Sequence, residues 1–311
     1  MMTKVQPKLI LHGGAGSSLQ SKGGIDAVRQ SLQKAIAQVY NLLTDGVSAK
    51  EAVVQGCRIL EDDPIFNAGT GSVLQSDGQI RMSAGFMDGT RQSFSGVINV
   101  SRIQHPIDLA QKLQQERDRV LSDYGAQELA REQQLPVYDP STEKRLQEWL
   151  QDRKGAFQRS MADVVAESAG RGTIGVVAFD ENGNLAAGTS TGGKGFERVG
   201  RVSDSAMPAG NYANSEAAVS CTGIGEDIID ECLAARIAIR VSDGWSLPEA
   251  FGRSFAEAES RQRDLGAIGI DQNGHIAWGK TSDVILAGFH NGDRMGDCLE
   301  AASGTVVDRI I

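Results

Sequence analysis

A threonine that opens an apolar run directly after a glycine, Gly172-Thr173-Ile174-Gly175-Val176-Val177-Ala178-Phe179, carries the most chemistry in this 311-residue chain. A threonine hydroxyl is a poor nucleophile until a base takes its proton. Breaking the Gly172–Thr173 bond would leave a free α-amine beside the hydroxyl of the same residue. Such an amine titrates near ~7.7–8.0, so it accepts a proton at neutral pH. A threonine served by its own terminal amine is one of the convergent forms of nucleophile-and-base chemistry. The stretch before it, Leu146 to Arg171, is polar with little apolar periodicity and reads as a flexible segment feeding the junction. The plain alternative is a threonine that merely starts a strand, as β-branched residues do.

Three further groupings bear on that choice. Arg201 and Asp204 lie three residues apart in Gly200-Arg201-Val202-Ser203-Asp204-Ser205. Side by side they are either a surface ion pair of little energetic weight or a clamp for a zwitterion. In a clamp, the guanidinium takes a carboxylate through two hydrogen bonds and the carboxylate takes an ammonium. Cys221-Thr222-Gly223-Ile224-Gly225-Glu226 precedes a helical pattern. There a hydroxyl and backbone N–H groups suit a developing oxyanion, or the run is an ordinary glycine turn. Gly188-Thr189-Ser190-Thr191-Gly192-Gly193-Lys194 begins like a phosphate-binding loop, but Gly195 stands where Ser or Thr should meet magnesium. His12, in His12-Gly13-Gly14-Ala15-Gly16, follows a short strand and is read as held by local hydrogen bonds, without a chemical role.

Composition narrows the partners. Net charge is -9, yet residues 1–172 hold 20 basic and 20 acidic side chains, against 11 and 20 in 173–311. The acidic excess therefore lies wholly after the junction. An acidic chain without a Lys/Arg tract argues against nucleic acid and anionic membranes as partners. Cys57, Cys221, Cys232 and Cys298 are scattered and the four histidines dispersed, which fits a reduced, cytoplasmic setting and gives no metal-ligand spacing. Met1 to Leu11 lacks the apolar core of a signal peptide.

The elements that must position these residues alternate in type. Lys8-Leu9-Ile10-Leu11 is a short strand, and Ile25, Val28, Leu32, Ile36, Val39 and Leu43 mark one face of a helix. Ser48 and Glu51 form a capping box for a second helix that turns Ala52, Val53, Gly56 and Ile59 inward. Ser72 to Met82 reads as a hairpin around Asp77-Gly78, and residues from about Asp108 to Arg159 as mostly helical. Two similar hairpins, around Asn182-Gly183 and Asn273-Gly274, read as parts of one sheet system. Between them one helix runs from Glu226 to Val241 and another, capped by Ser246 and Glu249, from Pro248 to about Gln262. Length allows one large α/β domain or two smaller ones, and the layout suits a sandwich with sheets inside and helices outside.

Taken together the motifs resemble the plant-type asparaginase and isoaspartyl peptidase family of N-terminal nucleophile hydrolases. The matches are His12-Gly13-Gly14-Ala15-Gly16, Phe66-Asn67-Ala68-Gly69-Thr70-Gly71, Met87-Asp88-Gly89, Gly172-Thr173-Ile174-Gly175, Ser190-Thr191-Gly192-Gly193, Gly200-Arg201-Val202 and Cys221-Thr222-Gly223 with Gly225-Glu226. They span nearly the whole chain, and their order is more specific than any one of them. Departures are Ser203 in place of a glycine, Ala206 in place of a proline, Ser83 where Asp is common, and the segment Gly195-Phe196-Glu197.

The resemblance implies an α+β, four-layer αββα fold in one domain, residues 1–311. It implies a precursor that cuts itself into 1–172 and 173–311 and assembles as an (αβ)2 heterotetramer. By position, Thr173 would be the nucleophile on the Gly172 carbonyl and then on substrate, with Thr191 supporting it. Arg201 would hold the substrate α-carboxylate and Asp204 its ammonium. Thr222 and Gly223 would stabilise the oxyanion, with Asn67 at the edge. Backbone carbonyls of Leu60, Glu61, Asp63, Phe66, Ala68 and Thr70 would bind a structural sodium ion, and catalysis would need no cofactor. Gly172 suits self-cleavage because glycine takes strained dihedrals and leaves room at the scissile carbonyl. The expected activity is hydrolysis of β-aspartyl peptides and of the side-chain amide of L-asparagine. A glycosylasparaginase of the same superfamily, or a nucleotide-binding protein using Gly188 to Lys194, are the alternatives.

Overall fold

The apolar run after Thr173 becomes strand β5 (Ile174–Phe179) in a computed structural model that describes residues 4–16, 22–154 and 172–300. Its side chains alternate between two buried environments, as the two-residue period of a strand dictates. Ile174, Val176 and Ala178 enter one apolar cluster, and Val177 and Phe179 another. In β1 (Lys8–Gly16), Leu9 and Leu11 join the first cluster and Ile10 the second. Strands apolar on both faces must be covered on both, and that requirement generates the layers.

β1 and β5 sit in a sheet with β2 (Met82–Asp88), β3 (Ser93–Val100), β4 (Val120–Ser122), β6 (Leu185–Thr191), β11 (Val284–His290) and β12 (Met295–Asp297). Its order is β12-β11-β1-β5-β6-β2-β3-β4, with β3 and β4 parallel and the other pairs antiparallel. A smaller sheet holds β7 (Asn211–Ala213), β8 (Ala217–Gly223), β9 (Leu265–Asp271) and β10 (Ile276–Lys280), in the order β10-β9-β8-β7. The helices α1 (Ile25–Thr44), α2 (Ala49–Glu61) and α3 (Pro106–Lys112) cover the outer face of the large sheet. Two others, α7 (Leu233–Ser242) and α8 (Leu247–Ser260), cover the outer face of the small one. The sheets meet through Ile10, Val177, Leu185, Ile268, Ile270 and Phe289. This is the expected αββα sandwich, and β5 and β6 face β8 across its centre.

Local signals account for much of it. Both capping boxes form, Ser48 with Glu51 and Ser246 with Glu249, each a contribution of about 0.5–2 kcal/mol. On α1, Val28, Leu32, Ile36, Val39 and Leu43 are buried as the spacing requires, while Ile25 is partly exposed. Ala52, Val53 and Gly56 point inward from α2, and Ile59 lies half-buried at its side.

Four expectations change. The Asp77-Gly78 turn forms, with Gly78 N–H donating to Gln75 O, but it joins no strands. Trp149 of α5 (Glu143–Lys154) packs over it and donates to Gln75 O, taking the place of a ladder. The actual hairpin turns between Asp88 and Ser93. The Asn182-Gly183 and Asn273-Gly274 hairpins share one loop design, each closed on an aspartate (Asp180, Asp271), but they lie in different sheets. The helix expected from Glu226 to Val241 breaks into α6 (Gly225–Glu231) and α7, with Cys232 between them at φ 46. The first free N–H groups of α7 are captured by Ala209 O and Pro208 O, so the break leaves few backbone donors unpaired. Of the segment Leu146 to Arg171, the residues to Lys154 are helical, and the remainder lies outside the described residues, as do the last residues of the helical stretch expected to Arg159. The intervening α4 (Asp123–Glu132) follows that expectation.

Candidate active site

Strand periodicity decides which way Thr173 looks. Ile174 faces α2, so the residue before it faces the second sheet. Its hydroxyl donates to Thr191 Oγ1 at 3.0 Å, and Thr191 Oγ1 also accepts the Gly193 N–H at 3.1 Å. Register supports this pairing, since Ile174 sits opposite Ser190 on β6. Thr173 is half-buried and Thr191 buried.

The peptide on the other side of Thr173 is held as closely. The Gly172 carbonyl accepts the Asn67 N–H at 3.3 Å. A methyl group at Gly172 would lie 2.2 Å from Gly14 Cα, and one at Gly14 would lie 2.4 Å from Gly172 Cα. Phe66 occupies the space that a side chain at Gly13 would need. The glycine motif after β1 and the Phe66-Asn67 loop are therefore two walls around one glycine. Close approach of the two backbones demands glycine there.

His12 stands behind the junction. Its Nδ1 lies 3.0 Å from Thr173 O and its Nε2 3.0 Å from Ser220 Oγ, which in turn meets Thr189 Oγ1 at 2.6 Å. A carbonyl only accepts, so Nδ1 carries the proton and Nε2 receives the serine hydroxyl. Burial lowers its pKa to about 3, which leaves the ring neutral. The expectation of local hydrogen bonds is corrected: among the described residues, both side-chain partners, Thr173 and Ser220, are distant in sequence. Gly175 makes the room, because a Cβ there would lie 2.0 Å from Ser220 Oγ and 2.3 Å from His12 Nε2.

Arg201 and Asp204 do converge, and on a glycine. A Cβ at Gly225 would lie 2.6 Å from Arg201 Nη2 and 2.7 Å from Asp204 Oδ1. Asp204 is 3% exposed and its Oδ2 has no hydrogen-bond partner among the described residues. Burial, partly offset by Arg201, pushes its pKa up to about 6. Thr222, at the end of β8, likewise has a buried Oγ1 without a partner. Gly223 beside it adopts φ 124, a conformation that favours glycine. Arg201 is not idle: Nε and Nη2 each donate to Glu226 at 3.0 Å, and Lys194 Nζ donates to the same carboxylate at 3.0 Å.

Other expected residues take up different positions. The Asn67 side chain is fully buried, donating to Gly193 O at 2.6 Å and accepting from Val73 N–H at 3.0 Å, so it ties loops together. Ser203 caps the turn at Asp204–Ala206 by accepting Ser205 N–H, Ser83 accepts Asn99 N–H, and small Ala206 sits against Gly96. Gly188 to Thr191 lie inside β6, and a Cβ at Gly188 would strike Val53, so no phosphate loop exists there. In the loop from Leu60 to Thr70, Thr70 N–H donates to Glu61 O at 2.7 Å, and Phe66 N–H to Asp63 O at 3.1 Å. The Glu61 carboxyl is buried, takes the Ser190 hydroxyl at 2.5 Å, and is driven well above its usual range by burial.

Two residues had no role in the sequence reading. Lys22, buried, donates to Gly13 O at 3.3 Å and Ile65 O at 3.1 Å, joining both walls of the junction. Burial, with Arg145 and Lys144 nearby, lowers its pKa to about 7. The carboxylate of Glu226 is the second, and its place in a motif gave no hint that it would hold Arg201.

The site therefore contains a hydroxyl aimed at another hydroxyl beside a pinned peptide carbonyl, and a guanidinium, a carboxylate and a hydroxyl whose polar atoms are not all used. A family model described as Asparaginase matches residues 5–300. The chain is 67% identical over 317 residues to an isoaspartyl peptidase/L-asparaginase of a Nostoc species, covering all of both chains. It is 62% identical to the isoaspartyl peptidase/L-asparaginase of a Synechocystis species, over 96% of this chain and 92% of that one. A plant-type L-asparaginase of Pyrococcus furiosus is 35% identical over 90% of this chain and 95% of its own.

Proposed function

Since this chain belongs to the asparaginase family, we propose that it is a self-processing threonine hydrolase that cleaves β-aspartyl peptides and the side-chain amide of L-asparagine. One observation carries the reading: Thr173 Oγ1 bonds Thr191 Oγ1 at 3.0 Å while Asn67 N–H holds the carbonyl of the preceding glycine.

In the precursor, the Thr173 hydroxyl adds to the Gly172 carbonyl carbon, and the Asn67 N–H stabilises the oxygen as charge develops there. The C–N bond breaks as nitrogen gains a proton, leaving an ester between Gly172 and Thr173 Oγ1. Water cleaves the ester to a Gly172 carboxylate and a free Thr173 amine. That amine then takes the hydroxyl proton when Thr173 attacks a substrate β-carbonyl, and delivers it to the departing amine or ammonia. Thr191 orients the hydroxyl in both steps. Thr222 and the Gly223 backbone supply donors for the substrate oxyanion. Water finally releases aspartate from the acyl-enzyme.

Both products and substrates share a free aspartyl α-amino acid end, which is the chemistry that Arg201 and Asp204 address. The orphan Oδ2 of Asp204 and the Gly225 face, open because it lacks a side chain, support ammonium and carboxylate binding there. A neutral amide would leave both charges unanswered. The loop from Leu60 to Thr70 suits a sodium ion. Leu60 O, Glu61 O and Asp63 O each accept one backbone N–H and retain a second lone pair, and the ion would brace the wall that carries Phe66 and Asn67. The mature protein is a cytoplasmic (αβ)2 assembly without nucleic-acid or membrane partners in this reading; no described helix is long and apolar enough to cross a membrane.

The decisive variant is Thr173→Ala. It should stay a single full-length chain on a denaturing gel and lose hydrolysis of a β-aspartyl dipeptide by at least on the order of 10³-fold. Two fragments meeting at residue 172, or retained turnover, would remove Thr173 from its role.

A further inference from the structure

The segment Lys194-Gly195-Phe196-Glu197 lies between the nucleophile and the clamp, yet the reaction just described uses none of it. Lys194 follows directly on Gly193, whose N–H bonds Thr191 Oγ1, the acceptor of the Thr173 hydroxyl. Its ammonium then reaches Glu226 Oε1 at 3.0 Å, the same atom that accepts Arg201 Nε at 3.0 Å. With Nη2 on Oε2, Arg201 holds Glu226 through two bonds.

This arrangement poses a charge problem. A guanidinium paired two-to-two with a carboxylate has nearly no net charge to offer a second carboxylate. The groups around it are Lys194 and Arg201 as cations and Glu226, Asp204 and Glu197 as acids. Glu226 stays ionised: burial acts against it, but hydrogen bonds from Arg201 and Lys194 bring its pKa to about 2. Glu197 is 5% exposed, its Oε2 has no hydrogen-bond partner among the described residues, and burial raises its pKa. Without Lys194, Glu226 would cancel Arg201 and the cluster would become more negative by the charge of that ammonium.

Resting on the hydrolase reading above, we propose that Lys194 is a specificity-determining residue: by sharing Glu226 with Arg201, its ammonium leaves part of the Arg201 charge free for the substrate α-carboxylate. The bland alternative is a surface ion pair. The Lys194 and Glu226 side chains are 31% and 47% exposed, and such pairs add little to stability. The two readings differ in what they move, since a surface pair has no effect on KM.

The test compares wild type with Lys194→Met, Lys194→Gln and Lys194→Arg on a β-aspartyl dipeptide, after a denaturing gel has confirmed that each chain is cut. The two neutral variants should raise KM by about three- to tenfold, with kcat within about twofold of wild type. Lys194→Arg should restore KM. Added salt should raise the wild-type KM and leave that of the neutral variants nearly level. Unchanged KM in both neutral variants, a fall in kcat alone, an equal rise in Lys194→Arg, or failure of both neutral variants to be cut each overturns the assignment. Wild type inactive on the dipeptide would instead sink the hydrolase reading, and this inference with it.

Discussion

The junction at Gly172 and the clamp at Gly225 are both built on glycines, yet they are finished to different degrees. At the junction the reacting groups are held by the chain itself: Gly172 packs against Gly14, its carbonyl meets Asn67 N–H, and Thr173 meets Thr191 and His12. At the clamp, Asp204 Oδ2 and Thr222 Oγ1 are buried without partners among the described residues, and the space beside Gly225 is bounded by opposite charges. The first region is complementary to a segment of its own chain and the second to something that must arrive. Unsatisfied buried polar atoms cost about 1–3 kcal/mol each, so a fold keeps them where a ligand will repay the loss.

The comparison breaks most severely at the junction. Gly14→Ala places a methyl group 2.4 Å from Gly172 Cα at a residue with φ 124. Displacing the scissile carbonyl by about 1 Å should slow self-cleavage on the order of 10²-fold. A time course of fragment appearance on a denaturing gel measures it, and a wild-type rate would mean that the glycine contact is only packing.

At the clamp the same kind of perturbation should act with opposite signs on activity and stability. Asp204 has its pKa raised from 3.8 to about 6 in the folded chain, chiefly by burial. The folded state therefore binds this proton more tightly than the unfolded state, and ionisation above about pH 6 costs stability. Asp204→Asn should lose most turnover yet gain about 1–3 kcal/mol at about pH 8, an advantage that vanishes below about pH 4. Urea unfolding at the two pH values decides, and a variant less stable than wild type at about pH 8 would contradict an unsatisfied clamp.

The mildest perturbation reaches the junction from outside. Replacing sodium chloride by choline chloride at equal ionic strength should lower the unfolding midpoint by about 2–4 °C, if the Leu60 to Thr70 loop binds the ion. Equal midpoints in the two salts would remove sodium from the loop.

How much was readable beforehand follows the range of the forces involved. Helix faces, capping boxes and the Asn-Gly and Asp-Gly turns were legible because each depends on neighbours within about four residues. The Asp77-Gly78 hairpin was misread because Trp149, seventy-two residues away, covers that turn. The break at Cys232 was invisible because Pro208 and Ala209 compensate it from another segment. His12 was tied to the wrong partners, because Thr173 and Ser220 reach it from distant parts of the chain. The clamp residues were named from a motif, whereas Glu226 as the group that holds Arg201, and Lys194 beside it, emerged only from distances.

By itself the sequence determined the types: a threonine after a glycine, an arginine near an aspartate, strands of period two and helices with capped ends. Those features are local, set by backbone sterics and by which side chains prefer burial. Only the tertiary structure decided that Gly14 would touch Gly172, that Gly225 would open onto both charges, and that Lys194 and Arg201 would share one carboxylate. Such contacts arise where two sheets close on each other, and a one-dimensional pattern carries no record of which faces meet.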